Sequence, residues 1–364
     1  MAGQLARRNQ SFTVLEASDY IGFSWRNHYD RLHLHTVKQY SALPYFPYPA
    51  NYPTYPSRLQ VVDYLERYAE QFNIKPRFNQ KVITISRNQA DGTWQVQTTT
   101  DTFRAERVVV ATGYNRVPNK PELPVQRDFR GIIWHSHEYR NGAPFRNKNV
   151  LIVGMGNTGA ELALDLLENG ANPFISVRGP VNIVGRETFG RPTQPTAIFL
   201  SRLPDWVCDV LARLSQQISV GDVSAYGLGK PTHSPTYDTR RGKTPVIDVG
   251  TLDQIKKGNI TVLPGVERIQ AKTVLFTDGR ELPFEAIILA TGYQPALMAV
   301  LGDALAATVL NERGYPKNLW FDAPDLTGLY FMGFSVPVTG VLYNLNIDSE
   351  RIAKRIAENN FVTA

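Results

Sequence analysis

The residues best placed to do chemistry are the run Gly154-Met155-Gly156-Asn157-Thr158-Gly159. A GxGxxG spacing is weak alone. Here an apolar β-rich run, NVLIV at 149–153, precedes it and a helical run, AELALDLL, follows it. In that strand–turn–helix setting Gly154 allows the tight turn, Gly156 lets the backbone approach a pyrophosphate, and Gly159 lets the helix pack close to the sheet. The helix N-terminus then offers unpaired N–H groups, with those of Asn157 and Thr158, to phosphate oxygens. The next strand ends at Arg178, where a site preferring NAD would carry Asp or Glu for the ribose hydroxyls. A guanidinium suits a 2′-phosphate, so the residues favour NADPH over NADH.

Two Ala-Thr-Gly-Tyr runs, 111–114 and 290–293, each follow a buried β-rich run. One would be noise. Two, bracketing a nucleotide module, suggest a domain interrupted by another, with the chain crossing over and returning. Glu16 closes the β-rich run SFTVLE and reads as the acidic partner of a ribose diol in a second nucleotide module. Gly154 and Arg178 are 24 residues apart, and the same count back from Glu16 lands before Met1. The N-terminal module therefore reads as lacking its first strand and Gly-rich turn. Their loss would leave a gap of roughly 9–10 Å between unpaired strands. The expectation is a natural start upstream; the alternative is a truncated, non-catalytic NADP(H)-binding protein unable to retain FAD.

The elements that must position these residues alternate β-rich and helical runs, which predicts an α/β fold with parallel sheets. Strands are expected at 11–17, 107–111, 149–153, 173–178, 285–291 and 328–333, and helices at 58–72, 161–169 and 346–358. Gly170 stops the helix at 161–169. Hairpins turn at Asp91-Gly92 and Asp278-Gly279. Residues 43–56 (LPYFPYPANYPTYP) must form an extended, packed loop. Residues 196–220 are amphipathic and expected to form a helix packed on the domain rather than a lid or membrane-surface helix.

Composition narrows the functional classes. The chain has 364 residues, 43 % hydrophobic and 20 % charged, with a formal charge of +6, enough for about two domains. One cysteine, Cys208, rules out an internal disulfide, a CxxC redox pair and a multi-thiolate metal site. No metal is expected. The mild, dispersed basic balance argues against a nucleic-acid partner and fits small anionic ligands. No apolar run reaches about 18 residues, so no integral membrane segment is expected. The N-terminus lacks the apolar core of a signal peptide, giving a cytoplasmic expectation.

Phe129-Arg-Gly131-Ile-Ile-Trp-His135-Ser-His-Glu-Tyr139 fits FxGxxxHxxx(Y/F) and lies just before the GMGNTG strand. In this the chain resembles the flavin-containing monooxygenases, the class B flavoprotein monooxygenases. The stretches 29–35, 52–69, 242–260 and 287–295 are similar to the YUCCA-type indole-3-pyruvate monooxygenases in particular. The resemblance implies two Rossmann-like dinucleotide-binding domains, the NADPH domain (146–282) inserted into a discontinuous FAD domain (1–145 and 283–364) without its first strand. It implies FAD reduced by NADPH, reaction with O2 to a C4a-(hydro)peroxyflavin, and transfer of one oxygen atom to a small-molecule substrate. That step would be oxidative decarboxylation of an indole-3-pyruvate-like 2-oxo acid, or N/S-oxygenation.

Residue roles follow from the resemblance. Glu16 would hold the FAD ribose, Trp25 and Arg31 would line the diphosphate and flavin side, and Val82 would meet the adenine. Thr112 and Gly113 would flank FAD, and Gly333 would approach the ribityl chain. Gly154, Gly156, Asn157, Thr158, Gly159 and Arg178 would hold NADPH, with Thr291, Gly292 and Tyr293 at the nicotinamide-side crossing. His135 would organise the interdomain linker rather than move a proton. His35, where many relatives carry Asn near the flavin, and Tyr293 are the candidates for a direct part in the chemistry. Phe23 and Trp25 could instead be core, and Cys208 an inert helix residue.

Overall fold

The computed structural model describes residues 1–124 and 129–358. The strands that carry the site are β1 (Val108–Val110), β2 (Ile132–His135), β3 (Asn149–Val153), β4 (Asn172–Ser176), β5 (Thr261–Leu263), β6 (Ala286–Leu289) and β7 (Leu329–Phe331). The helices around it are α1 (Asn157–Glu168), α2 (Thr193–Leu200), α3 (Asp205–Ser219), α4 (Pro235–Arg240) and α5 (Val341–Glu358).

One parallel sheet runs in the order β5-β4-β3-β6-β2. Its central strands are near-continuous apolar runs because both faces are covered. Val150, Leu151 and Ile152 are fully buried, as are Ala286, Ile287 and Ile288. On one face α1 packs Ala160, Leu162, Ala163 and Leu166 into a core with Val150, Ile152 and Ile288. On the other, a three-stranded antiparallel sheet (Val266–Ile269, Thr273–Phe276, Glu281–Pro283) brings Val274 and Phe276 against Leu151, Ile287 and Leu289. β2 and β6 lie outside 146–282 yet complete this sheet, so its hydrogen-bonded unit reaches beyond both expected domain boundaries.

β1 and β7 pair in parallel, Val108 opposite Leu329. Their core takes in Val110, Leu329, Phe331 and residues of the helix Met298–Val309. The Tyr/Pro-rich stretch 43–56 forms no helix or named strand. It packs Tyr48 flat on Tyr64, 3.8 Å between centroids, and Tyr64 belongs to the helix Arg58–Gln71.

Two expectations and one alternative are corrected. Residues 11–17 do not form a strand: among the described residues their one β-bridge is that of Leu15 to Arg77. β propensity needs a ladder partner to become a strand, and the bonds of 14–16 go to the irregular segment 77–80. The amphipathic stretch 196–220 is two helices, α2 and α3, broken at Pro204, which lacks the N–H a continuous helix needs. Nor does α3 bury its apolar side: Cys208 is buried, but Trp206, Val210, Leu214 and Ile218 stand exposed at i, i+4 spacing. Phe23 is not core either; it is 43 % exposed, while Trp25 packs partly buried beside Leu34 and Tyr64.

Candidate active site

The turn after β3 has the geometry its glycines predict. Gly154 sits at φ +105°, and a Cβ there would lie 2.8 Å from the Ala290 carbonyl oxygen. A Cβ on Gly159 would lie 2.1 Å from the Gly154 carbonyl oxygen, so only glycine lets α1 come this close to β3. A Cβ on Gly156 would meet nothing within 4 Å, which leaves the start of α1 open to a ligand. That cradle fits a dinucleotide pyrophosphate.

The other residues expected here divide. Arg178 lies exposed, two residues beyond the end of β4. Asn157 turns its side chain away: its Oδ1 accepts the Ile247 N–H at 2.6 Å, and its Nδ2 faces the Pro245 carbonyl. It ties the start of α1 to the strand Val246–Asp248. Thr158 is half-buried in the first turn of α1.

On the opposite side, Gly113 follows β1 at φ +70° and Gly333 follows β7 at φ +86°. A Cβ on Gly113 would come within 3.9 Å of the Gly333 carbonyl oxygen, so the two turns face each other. This pair of small, left-handed turns at parallel strand ends leaves backbone accessible to a nucleotide. Thr112 is exposed beside it. Glu16 caps its own turn, its Oε1 accepting the Ser18 N–H and hydroxyl, both at 2.9 Å. Val82 is half-buried at the start of its strand.

Residues 129–139 brace the edge of the five-stranded sheet. A Cβ on Gly131 would strike the Glu285 carbonyl and the Phe129 ring, both at 2.5 Å. His135 is buried; its Nδ1 accepts the His137 N–H, so Nε2 carries the proton and donates to the Gly292 carbonyl at 3.0 Å. Burial pushes its pKa down, against the pull of that carbonyl. The Tyr293 ring meets it edge-on at 5.1 Å, and burial raises the phenol's pKa. Thr291 donates to the Asn119 carbonyl across the same crossing. Tyr139, fully buried, donates to Asp165 Oδ2 at 2.5 Å.

Asp165 belongs to a feature that sequence reasoning missed. Glu161, Asp165 and Glu168 lie at i, i+4 and i+7 along α1, one face of the helix. Glu161 is 2 % exposed and Asp165 6 %. Each finds a partner from the N-terminal half of the chain. His35 Nε2 bonds Glu161, Arg31 reaches Glu161 at 3.5 Å and grips Glu168 through two bonds at 2.9 and 3.0 Å, and Tyr139 takes Asp165. Arg31 and His35 therefore face α1, more than a hundred residues along the chain from the segment that carries them. The signal was present in AELALDLLE, where carboxylates fall among residues that must be buried. The polar cleft of about 620 Å³ beside this stripe is lined by Arg31, Tyr55, Glu161, Glu168 and Arg186, among others.

The family model described as flavin-binding monooxygenase-like matches residues 22–357. Indole-3-pyruvate monooxygenase YUCCA1 of Oryza sativa subsp. japonica is 40 % identical over 341 residues, 92 % of this chain and 83 % of that one. The chain belongs to the flavin-binding monooxygenase-like family. Indole-3-pyruvate monooxygenase YUCCA6 of Arabidopsis thaliana is 36 % identical over 98 % of this chain and 86 % of that one. Among solved structures, a flavin-containing monooxygenase from Stenotrophomonas maltophilia superposes with a TM-score of 0.69 at 20 % identity, covering 98 % and 94 % of the two chains. An ε-caprolactone-bound cyclohexanone monooxygenase gives 0.71 at 16 % identity, covering 98 % and 85 %. These superpositions support the expected α/β architecture of Rossmann type. As a flavin-binding monooxygenase-like protein the chain is an enzyme, an oxidoreductase. Among the described residues no helix is long and apolar enough to cross a membrane, and no cluster of metal-ligating side chains occurs.

Proposed function

We propose that this chain oxygenates a 2-oxo acid of the indole-3-pyruvate kind, using NADPH, FAD and O2. The observation that carries the reading is the pair of glycine cradles. Gly154, Gly156 and Gly159 lie at one sheet's strand ends and Gly113 and Gly333 at the other's, and Thr291, just beyond β6, bonds the Asn119 carbonyl on the chain leaving β1. The first cradle and Arg178 would hold NADPH. The second, with Glu16, Trp25 and Val82, would hold FAD. When bound, the flavin accepts electrons from NADPH and delivers one oxygen atom of O2 to the substrate. Overall, the 2-oxo acid, O2, NADPH and a proton give CO2, the acid shorter by one carbon, water and NADP+.

The chain's own residues then bind, orient and exclude water. His135 and Tyr139 hold the end of β2 against Gly292 and α1, which fixes the surroundings of the first cradle. Glu161 holds His35 in place rather than leaving it free to swing. The relatives named indole-3-pyruvate monooxygenases favour a 2-oxo acid over N- or S-oxygenation.

The test is a flavin titration followed by NADPH oxidation. Protein supplied with FAD should retain yellow absorbance through gel filtration and consume NADPH in the presence of O2. Arg178→Ala should weaken NADPH by tenfold or more and leave NADH nearly unchanged, since a guanidinium–phosphate bond contributes about 1.5–3 kcal/mol. Equal losses for both nucleotides would remove Arg178 from the 2′-phosphate site. Failure to retain flavin would overturn the reading.

A further inference from the structure

The cleft between α2, α4 and the segment joining β7 to α5 belongs to neither glycine cradle. It encloses about 470 Å³, within the range of small-molecule sites. Ile198, Val338, Tyr343 and Ile347 give it an apolar wall; Arg202 and Arg240 add cations, and among the described residues no carboxylate lines it. Its floor is fixed. Gln194 on α2 donates to the Thr339 carbonyl at 2.7 Å and accepts the Val37 N–H at 2.8 Å, while the Thr339 hydroxyl donates to Asn344 at 2.7 Å.

The two cations differ in what they are free to do. Arg240 is held by Asp209 at 2.6 Å and Asp205 at 3.4 Å. Arg202 lines the cleft, is exposed, and makes no side-chain bond among the described residues; its backbone N–H closes a turn on Phe199. A cation without an acidic partner beside an apolar wall complements a ligand with a flat apolar body and one anionic end. The stretch 336–339 that lines the cleft lies three residues beyond Gly333, so the cleft adjoins the flavin-side cradle along the chain.

We infer that this cleft takes an aromatic carboxylate and that Arg202 is the residue selecting its anionic end. The inference rests on the function proposed above for the choice of ligand. The ring lies along Tyr343, Val338 and Ile347, and the carboxylate meets the guanidinium at the rim.

The experiment is calorimetric titration of the FAD-supplied full chain with two probes. Indole-3-acetate has the ring and the anion without the 2-oxo group; indole-3-ethanol has the ring alone. Indole-3-acetate should bind more tightly than indole-3-ethanol. Arg202→Ala should weaken indole-3-acetate about tenfold, or about 1.4 kcal/mol, and leave indole-3-ethanol unchanged. Arg202→Lys should restore part of the difference, and Ile347→Trp, which fills the cleft, should weaken both probes. Equal affinity of the parent for the two probes, or unchanged binding of indole-3-acetate to Arg202→Ala, overturns the inference. NADPH oxidation by the unsubstituted chain is read separately. Its absence would overturn the monooxygenase reading while a positive probe result still left the cleft an aromatic-anion site.

Discussion

Tyr139→Phe removes one oxygen atom from a wholly buried position, so its cost can be worked from the structure. The ring keeps its packing against Phe145, 6.0 Å between centroids. What is lost is the donor to Asp165, a carboxylate 6 % exposed. Asp165 keeps a bond from the Gly142 N–H and a long one, 3.5 Å, from Asn169. Leaving a buried charged acceptor one donor short costs about 1–3 kcal/mol. With two weaker donors remaining, the middle of that range, about 2 kcal/mol, is expected, which for a chain of this size melting as one unit lowers Tm by about 3 °C.

The assay is thermal unfolding of the parent, Tyr139→Phe, Asp165→Asn and the double variant. Because Asp165→Asn removes the charge that needs the donor, Tyr139→Phe should cost half as much or less in that background. The pH dependence gives a second check. Burial raises the Asp165 pKa, and the Tyr139 bond opposes that rise by favouring the carboxylate. The bond's contribution is therefore present while Asp165 is ionised and is lost as pH falls through its pKa. The parent–variant gap should narrow on acidification. A gap below about 0.5 kcal/mol at neutral pH, within the usual range for inconsequential substitutions, or one that ignores pH, refutes the reasoning.

Gly159→Ala should destabilise the chain by about 1–3 kcal/mol and weaken NADPH binding, because its Cβ would sit 2.1 Å from the Gly154 carbonyl and push α1 off the sheet; unchanged Tm and affinity would show that the turn can yield. His28 has its pKa lowered by burial to about 4, and its Nδ1 accepts the Tyr29 N–H. The unfolded chain binds this proton first, so stability should fall between about pH 6.5 and 4 by up to about 3 kcal/mol. His28→Gln should flatten that slope in a melting series, and an unaltered slope would assign it to other groups.

The fold was legible wherever a run was buried on both faces. NVLIV and AIIL could only be central parallel strands, and the glycines between NVLIV and AELALDLL could only be a tight turn under a helix. Residues 11–17 read as a strand from β propensity, but a strand exists only by pairing, and the partner is set by the rest of the chain. The break at Pro204 was written in the sequence, whereas the exposure of Trp206, Val210, Leu214 and Ile218 was not: periodicity reveals an apolar face without saying what covers it.

The same division holds at the site. Local sequence determined the conformational demands: Gly154, Gly113 and Gly333 at positive φ, and a helix start open at Gly156, because these depend on a few neighbouring residues. Tertiary structure decided the partners. It bonded the Asn157 side chain to Ile247, gave Arg31 and His35 to carboxylates of α1 more than a hundred residues away, and placed Arg202 at an apolar cleft where no acid among the described residues pairs with it. A side chain's torsional freedom is a property of its own stretch of chain, but the charge facing it belongs to whichever segment the fold brings alongside.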